Sequence, residues 1–327
     1  MENKQIINSH NSWSRLEEVW LGDVYPAAWY DHLDPAVRDV FQQLTEITQQ
    51  DLNSIQQTLE SFGVTVQRPH YASIDQYVDQ HDNLIKPEIC PRDTHVTIGN
   101  TLYRLNNRYR CWDHVLAQYN NVKFAPHAVV NGANVVRAGR DIVIDTDVFD
   151  WQYHNEFPEY RVRLVKNGGH MDGCFAILKP GLILANRYFD DYETTFPGWQ
   201  VIMLDNPTYG AAPSRGYAQP YPVYNGKFYD TTVGTNQSFN QHIVQHALDW
   251  IGDYTETYFE LNCLVIDESN VVMLAENHQL AEDLSQHGIT VHWVPFRTRS
   301  FWDGGVHCLT VDIRRQSTMV DYFPERG

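Results

Sequence analysis

The sequence predicts an α/β fold in which a strand–turn–strand–helix–strand unit recurs around a common axis. Three observations predict it. Short β-branched hairpins recur along the chain, helix-like stretches follow several of them, and a polar residue of catalytic type stands just before each. A repeat of roughly 35 to 50 residues is the mark of stacked or ring-like units. Short strands alternating with helices make the fold α/β rather than all-β.

The elements follow in order. Leu44, Ile47, Leu52, Ile55, Leu59 and Phe62 recur at steps near three and four, as an amphipathic helix does. Gly63 is placed to cap that helix, and Val64-Thr65-Val66 reads as a strand. The first hairpin is His95-Val96-Thr97-Ile98, the turn Gly99-Asn100, and Thr101-Leu102-Tyr103-Arg104. The second runs from Val135-Val136-Arg137 through Ala138-Gly139-Arg140 to Asp141-Ile142-Val143-Ile144. The third runs from Phe175-Ala176-Ile177-Leu178 through Lys179-Pro180-Gly181 to Leu182-Ile183-Leu184. The fourth joins Cys263-Leu264-Val265-Ile266 to Val271-Val272-Met273-Leu274 across Asp267-Glu268-Ser269-Asn270. The Gly, Pro and Asn residues supply the dihedrals that tight turns need. Leu280, Leu284 and His287 then mark a helix face ending at Gly288, and Ile289 to Val294 reads as a strand.

One interval is long, about 206–257. Its first half is rich in Tyr, Pro and Gly, and a helical stretch is expected near Phe239 to Ile251. It reads equally as a lid over a site or as an oligomer contact. No linker divides the chain, so residues 1–327 are expected to form a single domain carrying this insertion.

Composition narrows the function. The formal charge of -17 repels nucleic acid and anionic membranes and favours a small cationic substrate. No run approaches the ~18 apolar residues of a membrane span. Met1-Glu2-Asn3-Lys4 lacks the pattern of a signal peptide. The five cysteines, Cys90, Cys111, Cys174, Cys263 and Cys308, include no CxxC pair, which argues against a disulfide framework and a zinc finger. The expectation is a reduced, cytoplasmic protein acting on small molecules.

Asp93 precedes the first hairpin, Asn131 and Asn134 the second, His170 and Asp172 the third, Glu260 and Asn262 the fourth. His307 and Cys308 precede Leu309-Thr310-Val311-Asp312. Units arranged about an axis bring equivalent positions together, here a nucleophile, an acid/base and carboxylates. Such a set suits a guanidinium, which carboxylates hold by paired charge-assisted hydrogen bonds. Cys308 would attack as thiolate, His170 would move the proton, and Asp93 and Asp172 would clamp the cation. Asn134 and Glu260 are further candidates for substrate contact. Each has a bland competitor. A lone cysteine is usually a small buried residue, His170-Met171-Asp172 is a metal pair without a further ligand at metal spacing, Arg92-Asp93 suits a plain turn or surface ion pair, and Arg314-Arg315 a solvated strand end.

These residues, in their order, resemble arginine:glycine amidinotransferase and its bacterial relatives, within the wider guanidine-modifying (pentein) superfamily. The resemblance spans nearly the whole chain. It rests on Leu16-Glu17-Glu18-Val19-Trp20-Leu21-Gly22, Pro91-Arg92-Asp93, Arg137-Ala138-Gly139-Arg140-Asp141-Ile142, His170-Met171-Asp172, Pro180-Gly181, Gly304-Gly305-Val306-His307-Cys308 and Asp312-Ile313-Arg314-Arg315. It implies a five-bladed α/β propeller of ββαβ units with the active site in a central channel. It implies ping-pong transfer of an amidino group from arginine, with Cys308 as nucleophile, His170 as acid/base, and Asp93 and Asp172 as guanidinium clamps. Arg187 lies near the family's carboxylate-binding arginine. No cofactor or metal is implied.

The chain departs from that pattern where the family has a catalytic aspartate: Asn131 stands there, ten residues before Asp141. An amide orients an imidazole without stabilising its cation. The stretch from Asp141 to His170 is shorter than in the glycine-using enzyme, and the loop after Asn206 is longer. The acceptor amine therefore stays open. So do two other readings, an arginine hydrolase of the same superfamily and a silent binder of guanidino compounds. A homo-oligomer is left open too.

Overall fold

Where β-branched runs flank Gly, Asn or Pro, the chain closes hairpins. The structure, a computed structural model, describes residues 4–106, 108–125, 131–145, 156–165, 170–186, 192–204, 236–250, 259–274 and 276–326. The strands are β1 (Leu16–Leu21), β2 (Thr65–Gln67), β3 (His95–Ile98), β4 (Thr101–Arg104), β5 (Val122–Phe124), β6 (Val135–Ala138), β7 (Asp141–Asp145) and β8 (Arg161–Val165). They continue with β9 (Phe175–Lys179), β10 (Leu182–Ala185), β11 (Gln200–Met203), β12 (Leu264–Asp267), β13 (Asn270–Met273), β14 (Thr290–Trp293) and β15 (Thr310–Arg315).

Among the described residues they form five three-stranded sheets: β3-β4-β5, β6-β7-β8, β9-β10-β11, β12-β13-β14 and β15-β1-β2. In every sheet the first two strands pair antiparallel and the third runs parallel to the second. This is the expected five-bladed α/β propeller. The blade β15-β1-β2 joins distant parts of the chain, with Leu16 opposite Arg315 and Leu21 opposite Thr310.

The strands repeat more regularly than the helices. α1 (Pro35–Ser61) has 27 residues, while α2 (Asp113–Leu116) and α3 (Tyr192–Thr195) have four each. α4 (Gln237–His246) is the helix expected within the long interval, followed by a 3-10 turn at Leu248–Trp250. Residues 206–235 and 251–257 of that interval lie outside the described residues. α5 (His278–Gln286) precedes β14. The Asp34 side chain caps α1 by accepting from Ala36 N at 2.9 Å, with Pro35 at its first turn. At the other end Gly63, at φ 80, donates to Glu60 O, and Val64 donates to Leu59 O. Only a left-handed residue turns the chain so sharply from helix to strand. No helix among the described residues is long and apolar enough to cross a membrane.

Each blade's first strand is preceded by one tight turn: Pro91–Asp93, Gly132–Asn134 and Met171–Gly173 as 3-10 turns, then the turns before β12 and β15. The turn at Gly132–Asn134 touches both of its neighbours. These turns carry the polar residues singled out above.

Two readings are corrected here. Arg92 and Arg315 are each 1% exposed, so neither is a surface pair or solvated end. Both bind Asp312, which accepts from Arg92 Nη2 at 2.9 Å, Arg315 Nε at 2.8 Å, Arg137 Nη2 at 2.5 Å and Ser9 Oγ at 3.0 Å. A guanidinium leaves water only when its donors are met, and one buried carboxylate meets three of them. Arg314 is half-buried against Glu17 and Glu18.

A second buried acid behaves differently. Glu88 is 2% exposed and accepts from Thr94 Oγ1, and burial pushes its carboxyl up from 4.5 to about 8. Between those values the unfolded chain has lost a proton that the folded one keeps, so stability from this group falls as pH rises through that window. Glu88→Gln is therefore expected to gain stability relative to the native chain as pH rises from about 4.5 to 8, by a few kcal/mol at most. Urea unfolding of both proteins at several pH values measures it. A pH-independent difference rejects the assignment.

Candidate active site

The sulfur of Cys308 sits where two turns meet. Cys308 is 1% exposed. Its N–H donates to Asn262 Oδ1 at 2.9 Å, and Asn262 Nδ2 lies 2.9 Å from Sγ. One buried amide thus holds both the backbone and the sulfur. The approach requires glycine at 305, because a Cβ there would lie 2.6 Å from the Asn262 Cβ and 2.7 Å from its carbonyl oxygen.

Asp172, 4% exposed, stands beside it. Its Oδ2 is 3.4 Å from Cys308 Sγ and accepts from His307 Nδ1 at 2.7 Å. Its Oδ1 is buried and has no hydrogen-bond partner among the described residues. Burial pushes the Asp172 carboxyl up, but the His307 hydrogen bond, with Arg92, outweighs it and holds the group below the usual carboxylate range. Burial and Arg92 push His307 down. A neutral His307 that donates Nδ1–H to Asp172 satisfies both directions. Arg92 also donates Nε–H to the His307 carbonyl at 2.8 Å, tying the Asp312 cluster to the turn that bears Cys308.

His170 stands two residues before Asp172, at the head of the same turn. Nitrogen, oxygen and sulfur atoms of His170, Asp172 and Cys308 all lie within 4.8 Å of one another. Asn131 Oδ1 accepts from Ala133 N at 2.8 Å, which orients the amide and leaves Nδ2 to face His170 Nε2 at 2.9 Å. A donor there requires a lone pair on Nε2, hence a neutral ring with its proton on Nδ1. That nitrogen is 4.0 Å from Asp93 Oδ1. Burial of the Asp93 carboxyl pushes it up, against the pull of Lys86.

Cys308, His170, Asp172, Asn131 and Asp93 are therefore brought together. Asn134 lies on the same turn as Asn131 and donates its backbone N–H to the Asn131 carbonyl at 3.2 Å. Glu260 is fully buried and accepts from Asn277, the N-cap of α5, at 3.2 Å, a contact within its own blade. Arg187 lies outside the described residues. Sequence reasoning assigned no role to Asn262 or His307, although both stand before their hairpins as the chosen residues do. His170, Asp172 and Cys308 are also donors a soft cation accepts, so the same three groups suit a metal as well as a covalent reaction.

No family model matches the chain. It is 25% identical over 206 residues to mitochondrial glycine amidinotransferase of Gallus gallus, a match covering 59% of this chain and 40% of that protein. The chain thus spans about two-fifths of that relative's length. It is 22% identical over 381 residues to inosamine-phosphate amidinotransferase 1 of Streptomyces glaucescens, covering 97% and 99%. Among solved structures, an amidinotransferase of Microseira wollei from the saxitoxin biosynthetic pathway superposes with a TM-score of 0.68 at 20% identity, covering 97% and 99%. A cyanobacterial arginine dihydrolase superposes with a TM-score of 0.56 at 13% identity, covering 92% of this chain and 39% of that one. At those identities the superpositions speak for the fold alone. The chain is thus similar in sequence to amidinotransferases and similar in fold to amidinotransferases and an arginine dihydrolase.

Proposed function

We propose that the protein transfers the amidino group of L-arginine to an amine through a covalent amidino-Cys308 intermediate, releasing ornithine. The observation that carries this reading is the buried, unpartnered Oδ1 of Asp172 in a carboxylate whose other oxygen touches the sulfur. A guanidinium N–H satisfies that oxygen and places the central carbon next to Sγ. Asp93, held up by burial, gives the second contact and is drawn down by the arriving cation.

As the cation settles, the Cys308 thiol gives its proton to His170, and the thiolate attacks the guanidine carbon, forming a C–S bond. The tetrahedral adduct expels the ornithine nitrogen, which takes a proton from His170. An amine then enters, gives a proton to His170, and attacks the same carbon, and the C–S bond breaks. Glycine and an inosamine phosphate are acceptors suggested by the names of the relatives; the acceptor here is an amine of either kind.

A second reading rests on Asn131. Its amide favours a neutral His170, which is suited to activating water in place of an amine. Arginine with a panel of amines, followed by ornithine, citrulline and ammonia analysis and intact mass, separates the readings. Transfer gives ornithine in proportion to amine and an adduct on Cys308. Hydrolysis gives product without amine. Absence of both product and adduct rejects the two together and leaves a binder.

A further inference from the structure

The side-chain amide of Asn262 reads in one direction only. Asn262 is fully buried just before β12, between Leu261 and Cys263, which are buried as well. Its backbone carbonyl accepts from His307 N at 3.2 Å and its Oδ1 from Cys308 N at 2.9 Å. A backbone N–H only donates, so the atom facing it is the amide oxygen. The atom 2.9 Å from Cys308 Sγ is then the amide nitrogen. An N–H is thereby aimed at the sulfur and held there by two contacts that do not involve the sulfur.

A packing role needs only the first two contacts. The third matters because of what else touches the sulfur. Asp172 Oδ2 lies 3.4 Å from it, in a carboxylate held below the usual range and so ionised when the thiol loses its proton. Like charges at that distance oppose each other, and burial opposes both. A donor to the sulfur offsets this, and it binds a thiolate more strongly than a thiol or a thioether. We propose that Asn262 is a catalytic residue, the hydrogen-bond donor that stabilises the Cys308 thiolate first when the thiol ionises and again when the sulfur leaves. The second role rests on the transfer reaction set out above. There the incoming amine forms its C–N bond and gives its proton to His170. The C–S bond breaks, and its electron pair stays on the sulfur facing Asn262 Nδ2. The first role needs no substrate.

The two roles are tested apart. Ultraviolet thiolate absorbance, taken for each chain minus the same chain with Cys308→Ala, gives the pH at which Cys308 ionises with no substrate present. Asn262→Leu, similar in volume with no polar side-chain atom, and Asn262→Ser are each expected to raise that pH by at least ~1 unit. A merely structural displacement would slow the reaction alike at every pH and leave the ionisation where it was. Supplied with arginine and an amine, either variant is expected to accumulate the amidino-Cys308 adduct, seen by intact mass, and to discharge it at least ~10-fold more slowly than the native chain. Circular dichroism checks the fold of each variant. Should neither fold, the native chain with isotope-labelled asparagine decides: one side-chain amide signal is expected to move where Cys308 ionises and to stand still in Cys308→Ala. Native ionisation in a folded variant, or no amide signal that follows the thiol, overturns the inference. An adduct discharged at the native rate overturns its second half. A native chain that forms no adduct with arginine rejects the transfer reaction instead, and the titration still judges Asn262.

Discussion

Cys308→Ser is expected to lower turnover at least about 10⁴-fold while leaving the melting temperature close to that of the native chain. The substitution is nearly isosteric at a site 1% exposed, and the Asn262 Oδ1 contact to the backbone N–H is unaffected. The loss is chemical. A hydroxyl must give up its proton to attack, and its neighbours are poorly suited to take it. Asp172 lies below the usual carboxylate range and is a weak base, and His170 Nε2 faces the Asn131 amide. A thiol ionises far more readily, and a bound cation assists it. Initial rates of ornithine release, with thermal unfolding as control, measure the effect. A serine variant within tenfold of native activity would sink the covalent mechanism.

The second large effect concerns stability. Asp312→Ala is expected to destabilise the chain by at least about 5 kcal/mol, because three guanidinium groups lose a common partner and stay buried. Domains hold only about 5–15 kcal/mol in total, so little folded protein should remain. Asp312→Asn keeps one acceptor oxygen and the shape but not the charge, and should also be strongly destabilised. Arg92 links this cluster to the His307 carbonyl, so any folded fraction should carry a displaced nucleophile as well. Soluble yield and urea midpoints decide it. An asparagine variant that unfolds at the native midpoint would mean the guanidinium groups find other partners.

The parts of the fold visible in the sequence are those whose cause is local. Hairpin turns at Gly99-Asn100 and Gly139-Arg140 show themselves because tight turns restrict dihedrals, and Gly63 because a helix must end in a left-handed residue before β2. The polar residue ahead of each hairpin is also local, and quasi-symmetry turns it into a shared centre. What escaped depends on partners far away. Arg92 looks like a surface charge until Asp312, 220 positions on, is folded against it. His307 and Asn262 stand in plain view, yet their contacts to Asp172 and Cys308 are properties of packed turns from different blades. The Asn131 amide was visible as a departure, but its direction of donation follows only from the Ala133 N–H that fixes the other end.

The pairing of β1 with β15 has a consequence for how the molecule comes into being. Four blades can form from neighbouring segments, whereas this one must bring Leu16 to Arg315, a late and entropically costly closure. A chain stalled just before it would hold His170 and Asp172 yet leave the sulfur adrift, so catalytic competence should emerge with the slowest folding phase. Until then β1 offers an open edge, and a neighbouring molecule's last strand fits it as well as its own does, which makes exchange between copies the characteristic way for this ring to misassemble.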